Sequence, residues 1–490
     1  MEKEISIKRN VFLNILRTLL SIIFPLITFP YATRVLQPDG IGKVQFSSSI
    51  ISYFVMLAGL GIGTYGIREV AKRREDKDEL TKVTKELFFI NLIPTVLSYI
   101  LLAIALIFIP KLNAYRSIII VYSSTILFTT LGIEWLYSGL EHYSYITIRQ
   151  FCFQLVSLIL LFIFVRNQND TYKYALICVF SNVGANICNF IHSRKYINWH
   201  AKITPEAKKH LKPIFILFGM RIAASLYVTL DTTLLGFLTE DKYVGYYEAA
   251  NKMTRIVISL LTSVPAVMLP RLSFYAEKKD SEAFNSLLEN SFYITMMFAI
   301  PMTTGLFALS KNVILLISGE SFLPAVTIMK VLSLLIISIP LSSFFGNQIF
   351  LPLGKEKISL YAMLLGAVIN VFLSVILIQV WGAFGAAFAS LIAETSITLF
   401  YLIVALKNKL FKIKIRSLLN YVLASVEMLI ILHLANYLPI PMILKTIVVI
   451  ILGICIYILF LIILRDKLFI DVINQIKNKI RRNKSTGDLK

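Results

Sequence analysis

Apolar runs long enough to cross a bilayer recur along almost the whole of this 490-residue chain, and 57% of its residues are hydrophobic. A helical span needs about 20 apolar residues. Inside hydrocarbon each backbone N–H and C=O must be paired within its own element or barrel, which leaves helices for runs of this length. The expected fold is therefore an all-α polytopic membrane protein with about fourteen transmembrane helices. They are placed near 10–30, 41–66, 87–109, 116–138, 146–165, 173–193, 213–235, 244–269, 290–309, 324–350, 358–380, 382–405, 417–436 and 442–464. The first is too long, and too polar on one face, for a signal peptide.

The organisation that follows has spans 1–6 in an N-lobe, 1–194, and a basic cytoplasmic linker at 195–212. Spans 7–12 form a C-lobe, 213–406, spans 13–14 occupy 407–465, and an amphipathic tail runs over 466–490. The tail sets Leu468, Phe469, Val472, Ile473, Ile476 and Ile480 on one face, as a helix on a membrane surface does. The net charge of +21 would suggest nucleic acid in a soluble protein. Here most Lys and Arg fall in alternate loops, so the charge reads as topology, with both termini cytoplasmic and no nucleic-acid partner. The same charge favours anionic membrane lipid. Cys152, Cys178, Cys188 and Cys455 all lie in predicted spans and make no metal spacing or disulfide framework.

Several spans carry polar stripes that an anchor does not need. Asn10, Asn14, Arg17 and Ser21 share one helical face of the first, with Arg17 about 12 Å along at roughly 1.5 Å per residue. A charge that deep usually faces a partner or a watery cavity. Gln45, Ser48, Ser49 and Ser52 share a face of the second span, which closes in GLGIGTYG. That GxGxxG follows no strand, so close packing by Gly59 and Gly63 accounts for it better than a dinucleotide. Pro38-Asp39-Gly40 reads as a turn on the outer face. Asp76 and Asp78, among basic neighbours, read as a solvated charge cluster. Asn182, Asn186 and Asn189 suit a cavity or interhelical hydrogen bonds equally, and His192 reads as interfacial.

The pattern restarts after the linker. Arg221, Ser225, Thr229 and Thr232 line the seventh span beside Asp231, and Arg221 is about as deep as Arg17. Glu248, Asn251, Lys252, Arg255 and Ser259 share a face of the eighth, where Glu248 and Lys252 are spaced to pair. An offset of 203 residues relates Gly42 to Gly245, Gln45 to Glu248, Ser49 to Lys252 and Ser52 to Arg255. Six spans separate the copies, which makes a parallel repeat. Lys330, Glu394 and Glu427 complete the intramembrane charges, and WGAFGAAFAS is a small-residue packing surface.

Arg17, Arg221, Lys252, Arg255 and Lys330 leave an excess of cations suited to an anion such as pyrophosphate. Asn10, Asn14, Gln45, Ser49, Glu248 and Asn251 would supply polar lining. Asp231, Glu394 and Glu427 are candidate coupling acids for H+ or Na+. No catalytic residue, metal site or cofactor is assigned, since HExxH, Walker A and nucleophile-elbow motifs are missing and no outer loop is long. Any driving force is then an ion gradient, the membrane potential or substrate supply.

PLITFPYATRVLQPDGIG, YGIREVAKRRED, IEWLYSGLE, DTTLLGFLTEDKYVGYYEAANKM and PLGKEK resemble the polysaccharide flippases of bacterial O-antigen, capsule and exopolysaccharide pathways. These belong to the superfamily of the MATE exporters and the lipid II flippase. The resemblance covers about residues 5–410 and departs at Gln37, where that family often has glycine. It implies fourteen helices in two six-helix lobes plus a final pair, a V opening alternately to each side of the bacterial cytoplasmic membrane. It implies transfer of an undecaprenyl-pyrophosphate-linked oligosaccharide from inner to outer leaflet through a cationic cavity. Arg17, Arg221 and Arg255 stand where related flippases carry cavity arginines; Lys252 and Lys330 correspond more loosely. A polymerase and glycosyltransferases of the pathway are the implied protein partners. A MATE-type small-molecule exporter is the alternative within transport. A membrane glycosyltransferase or polymerase is the alternative among enzymes, and would be expected to carry a long outer loop.

Overall fold

The computed structural model describes residues 7–202, 206–411, 415–435, 439–466, 468–471 and 474; at 7–15, 17–19, 21–22, 220, 223–228 and 264–267 it describes the backbone alone. Every regular element among them is helical. They cluster into two compact units, Met1–Glu248 and Ala249–Lys490.

The first unit is built on α1 (Ile7–Gly59), which takes in both of the first two expected spans. Its one non-helical residue is Gln37, at φ 61° and ψ 175°. Pro25 and Pro30 lie within the helix, and Pro38 opens the second limb, where a missing N–H costs nothing. The expected turn at Pro38-Asp39-Gly40 is therefore a single-residue break one position earlier. The Gln37 conformation belongs almost entirely to glycine and costs another residue about 1–3 kcal/mol. Its amide Nε2 donates to the Arg34 carbonyl at 2.6 Å. Replacing Gln37 with glycine should remove that strain against about 0.5–1 kcal/mol of added chain entropy, and so raise the thermal midpoint of the purified protein.

Around α1 stand α2 (Ile62–Arg73), α3 (Lys77–Phe108), α4 (Pro110–Ala114), α5 (Arg116–Gly132), α6 (Glu134–Gly139) and α7 (Tyr143–Phe164). Next come α8 (Thr171–Val179) and α9 (Ala185–Ser193), joined by a π-helical turn at Phe180–Gly184. The whole of α10 (Lys208–Leu238) and the first turns of α11 (Asp241–Glu277) complete this unit. Asp76 caps α3, accepting from the amides of Asp78 and Glu79. The aspartate pair is thus a helix start in a charged loop. Asn189 donates to the Gly132 carbonyl at 2.8 Å, which selects the interhelical reading for that asparagine, while Asn182 is exposed. His192 stacks on Tyr145 at 4.2 Å between ring centres.

The linker is tied down at the end of the unit that carries the basic loop. Glu206 bridges Lys82 at 3.1 Å and Lys209 at 2.8 Å, and hydrogen bonds from those two lysines hold its carboxyl down at about 2. Being lowered, this contribution is complete above the ordinary carboxylate pKa and fades only as pH falls toward 2. Beneath it, Glu86 and His210 are almost wholly buried. His210 Nε2 lies 2.9 Å from Glu86 Oε2, and Tyr65 Oη lies 2.7 Å from His210 Nδ1. A proton on Nε2 donates to Glu86 and leaves Nδ1 to accept from the Tyr65 hydroxyl.

In the second unit the rest of α11 is followed by α12 (Ser281–Ile317), α13 (Ala325–Ser333), α14 (Leu335–Phe344) and a π-helical turn at Phe345–Phe350. Then come α15 (Glu356–Trp381), α16 (Ala383–Lys407), α17 (Ile415–Ala435) and α18 (Met442–Ile463). The WGAFGAAFAS stretch packs as expected: a Cβ at Gly385 would meet the Leu377 carbonyl at 2.1 Å, and Ala386, Ala387 and Ala389 are fully buried. The final pair docks on α12, where Tyr457 donates to the Met297 carbonyl at 2.7 Å.

Eleven helices among the described residues are long and apolar enough to cross a membrane, or twelve if Asp241–Ser263 and Met268–Glu277 make one bent span. Fewer spans emerge than the fourteen expected. The continuity of α1 joins the first two, and only Thr229–Leu238 of the seventh qualifies, as a short apolar helix. The amphipathic tail lies largely outside the described residues.

Candidate functional site

Arg221 is an exposed arginine in the 31-residue α10. Its Nη1 donates to the Leu60 carbonyl at 3.4 Å. Leu60 follows the last turn of α1 in a left-handed conformation, φ 42°. Carbonyls at a helix C-terminus carry partial negative charge, so a guanidinium there is favoured. Gly59 and Gly63 lie on either side of it: a Cβ on either would stand 3.8 Å from Nη1, in ordinary contact. The tight glycine is Gly61 between them, where a Cβ would come within 2.4 Å of the Ile214 carbonyl. The Gly59/Gly63 pair expected to pack helices therefore flanks the arginine, and Gly61 makes the close approach to α10.

Toward the other end of α10 a polar seam joins it to α1 and α11. Thr233 donates to Ser49 at 3.1 Å, and Tyr53 stands 3.2 Å from the same threonine. Asp231, 5% exposed, accepts from the Tyr247 hydroxyl at 2.8 Å. Glu248 is half-buried and accepts from Thr232 at 2.5 Å. Gln45 is half-buried in the same stretch of α1 as the buried Ser49.

Beyond the seam, the start of α11 and the second limb of α1 touch backbone to backbone. A Cβ at Gly42 would lie 1.8 Å from the Asp241 carbonyl oxygen, and one at Gly245 would lie 2.2 Å from that of Pro38. The repeat offset of 203 maps Pro38 onto Asp241 and Gly42 onto Gly245. The contact is thus reciprocal, as in an interface between two-fold-related copies. It is buttressed by Lys111, whose Nζ donates to the carbonyls of Phe237 and Thr239, and by Tyr115, which donates to Asp241 at 2.6 Å.

In the second unit, Arg255 Nε donates to Asn251 Oδ1 at 3.1 Å and the arginine is exposed. Lys252 is half-buried. Lys330 is exposed with its Nζ 5.4 Å from the Phe307 ring centre. Glu394, 3% exposed, accepts from the Ser342 hydroxyl, and Glu427 is half-buried. The side chains of Asn10, Asn14 and Arg17 lie outside the described residues. Among the described residues no cluster of three or more His, Cys, Asp or Glu is arranged to hold a metal.

Comparison with known proteins fits this architecture. The family described as polysaccharide biosynthesis protein matches residues 7–276, more than half of the chain, and MatE matches 217–376. An Escherichia coli (strain K12) protein named "Putative O-antigen transporter" is 24% identical over 418 residues, 83% of this chain and 98% of that one. A Shigella dysenteriae protein of the same name is 26% identical over 404 residues, 81% and 99% of the two chains. Among solved structures, the lipid II flippase MurJ in an inward closed conformation shares the fold with a TM-score of 0.75 at 18% identity, covering 93% of this chain and 99% of that one. An inward-facing multidrug resistance MATE family transporter gives 0.62 at 14% identity, with 80% and 97% covered. The chain is a multi-pass membrane protein, and it belongs to the polysaccharide biosynthesis protein family.

Proposed function

We propose that this protein is a transporter, a flippase that moves a lipid-linked oligosaccharide from the inner to the outer leaflet of a bacterial cytoplasmic membrane. The lipid carrier in this reading is undecaprenyl pyrophosphate. The observation that carries it is Arg221, an exposed guanidinium midway along a helix about 46 Å long, in a chain whose relatives are named as O-antigen transporters. Among the described residues one long hydrogen bond holds it at a helix C-terminus, and a guanidinium carries five N–H donors suited to phosphate oxygens. In this proposal Arg17 and Arg221 in the first unit, and Lys252, Arg255 and Lys330 in the second, meet the pyrophosphate as it passes. Gln45, Asn251 and their polar neighbours meet sugar hydroxyls. Asp231, Glu394 and Glu427 are the acids at which a proton or sodium ion would couple. The positive charge of the α2–α3 and linker loops supports a cytoplasmic position for those loops and for both termini.

Arg221→Ala is expected to reduce export at least about tenfold, the loss of one or two charge-assisted hydrogen bonds at about 1.5–3 kcal/mol each, with the protein still in the membrane. Arg221→Lys should retain part of the activity, since it keeps the charge and loses the fork. The measurement is leaflet-resolved accumulation of the lipid-linked repeat unit in cells without the gene, complemented by each variant. Normal clearance by Arg221→Ala would remove the assignment; failure to form the repeat unit at all would point to synthesis instead.

A second reading, export of small molecules, has the MatE match over 217–376 in its favour. It predicts accumulation of cationic dyes in cells lacking the protein. The cationic excess favours the first reading.

A further inference from the structure

We propose that the groove between the start of α3 and the segment following α9 binds the phosphate headgroup of an anionic phospholipid, apart from the transport path. The groove has a volume of about 690 Å³. Its mouth is set by Lys77, Arg194 and His200, all exposed. Among the described residues none of the three is in an ion pair. Its floor is Trp199 and Phe190, with Asn198 at the side.

The groove is built rather than accidental. Trp199 packs against Phe88 at 5.1 Å and Phe190 at 5.2 Å between ring centres, and its indole N–H donates to Ser193 at 2.9 Å. Lys85, almost fully buried, reaches up to donate to the carbonyls of Trp199 and Ala201. That leaves Lys77 and Arg194 to an outside ligand. Of the two aspartates that flank Lys77, Asp76 has an oxygen committed to the amides that start α3.

What lies beyond the groove selects a lipid. On α3, Phe89, Ile93 and Leu97 form an exposed apolar face, 53%, 73% and 45% accessible; on α9, Ile187 and Ile191 do the same. These helices span the membrane, so their exposed faces contact acyl chains. Trp199 links the two helices by packing on Phe88 of α3 and Phe190 of α9, and tryptophan is enriched at membrane–water interfaces. A basic pocket at the end of transmembrane helices, floored by aromatic rings and next to the exposed Ile191 of α9, matches a phosphate headgroup with its chains attached. A free phosphate would use the cations and leave the apolar wall without a role.

The test uses the full-length protein purified in neutral detergent and titrated with phosphatidylglycerol, phosphatidylcholine or inorganic phosphate, with bound species counted by native mass spectrometry. Phosphatidylglycerol should bind in preference to phosphatidylcholine, and Lys77→Ala/Arg194→Ala should weaken it roughly tenfold or more. Arg194→Lys, which keeps the charge, should bind nearly as wild type and shows that the loss is not misfolding. Millimolar inorganic phosphate should displace little lipid. Equal binding of the two lipids, or an unaffected double variant, would overturn the site. Full displacement by inorganic phosphate would overturn the lipid assignment in favour of a soluble anion. These outcomes do not depend on whether the protein flips its substrate.

Discussion

Gly42→Ala and Gly245→Ala should each open the backbone contact between α1 and α11, and the two together should do little more harm than either alone. A Cβ at Gly42 would fall 1.8 Å from a carbonyl oxygen, and one at Gly245 would fall 2.2 Å from another. Neither clash can be relieved by turning a side chain, so the start of α11 must move away from α1. Overpacking of this kind costs about 1–3 kcal/mol and sometimes more. Since about 1.4 kcal/mol is a factor of ten, the closed contact should lose about ten- to a hundredfold in population relative to any state in which it parts. The reciprocity makes the expectation sharper. Both glycines hold the same pair of strands of chain together, so once one Cβ has separated them the second meets open space. A double-mutant cycle on thermal unfolding should therefore show strong non-additivity. In the flippase reading each single variant should also slow export. Full additivity, or wild-type stability in both single variants, would show that the contact is looser than it stands here.

His210→Ala should be the most damaging single change at the opposite end of the same unit. It leaves the Glu86 carboxylate, fully enclosed, with the Glu206 amide at 2.8 Å and Lys209 at 3.7 Å. It also strips the Tyr65 hydroxyl of its imidazole partner. Losing a hydrogen bond to a buried charged group costs about 1.5–3 kcal/mol, and the cavity left by the imidazole adds to it. Glu86→Gln should cost much less. One amide atom can still accept from Glu206 N while the other faces the imidazole, and no charge is buried. The readouts are denaturation of the purified protein and the rate of proteolysis near Glu206, whose amide this chain of hydrogen bonds ties to α3. A His210→Ala protein within about 0.5 kcal/mol of wild type would mean that water reaches Glu86.

Much of this was legible in the amino-acid order because hydrocarbon imposes short-range rules. A run of about 20 apolar residues must be helical whatever it packs against, so the all-α fold and most spans could be read one segment at a time. An arginine within such a run marks itself, as Arg221 does, and a repeat with a constant offset shows which residues correspond. The small residues of WGAFGAAFAS announce a packing surface for the same local reason. Tertiary structure alone decided what these residues meet. The partner of Arg221 is a backbone carbonyl, and carbonyls are the same at every position, so Leu60 could not be singled out. Gly59, Gly61 and Gly63 are alike in sequence, and only the path of α10 makes Gly61 the close one. Tyr65, Glu86 and His210 lie in three separate segments with no common period to connect them. The break at Gln37 sits one residue before the proline that seemed to cause it, because Pro38 can begin a helix as readily as end one. Periodicity records which face of an element is apolar; which element covers that face depends on contacts between residues a hundred or more positions apart, and those exist only once the chain has folded.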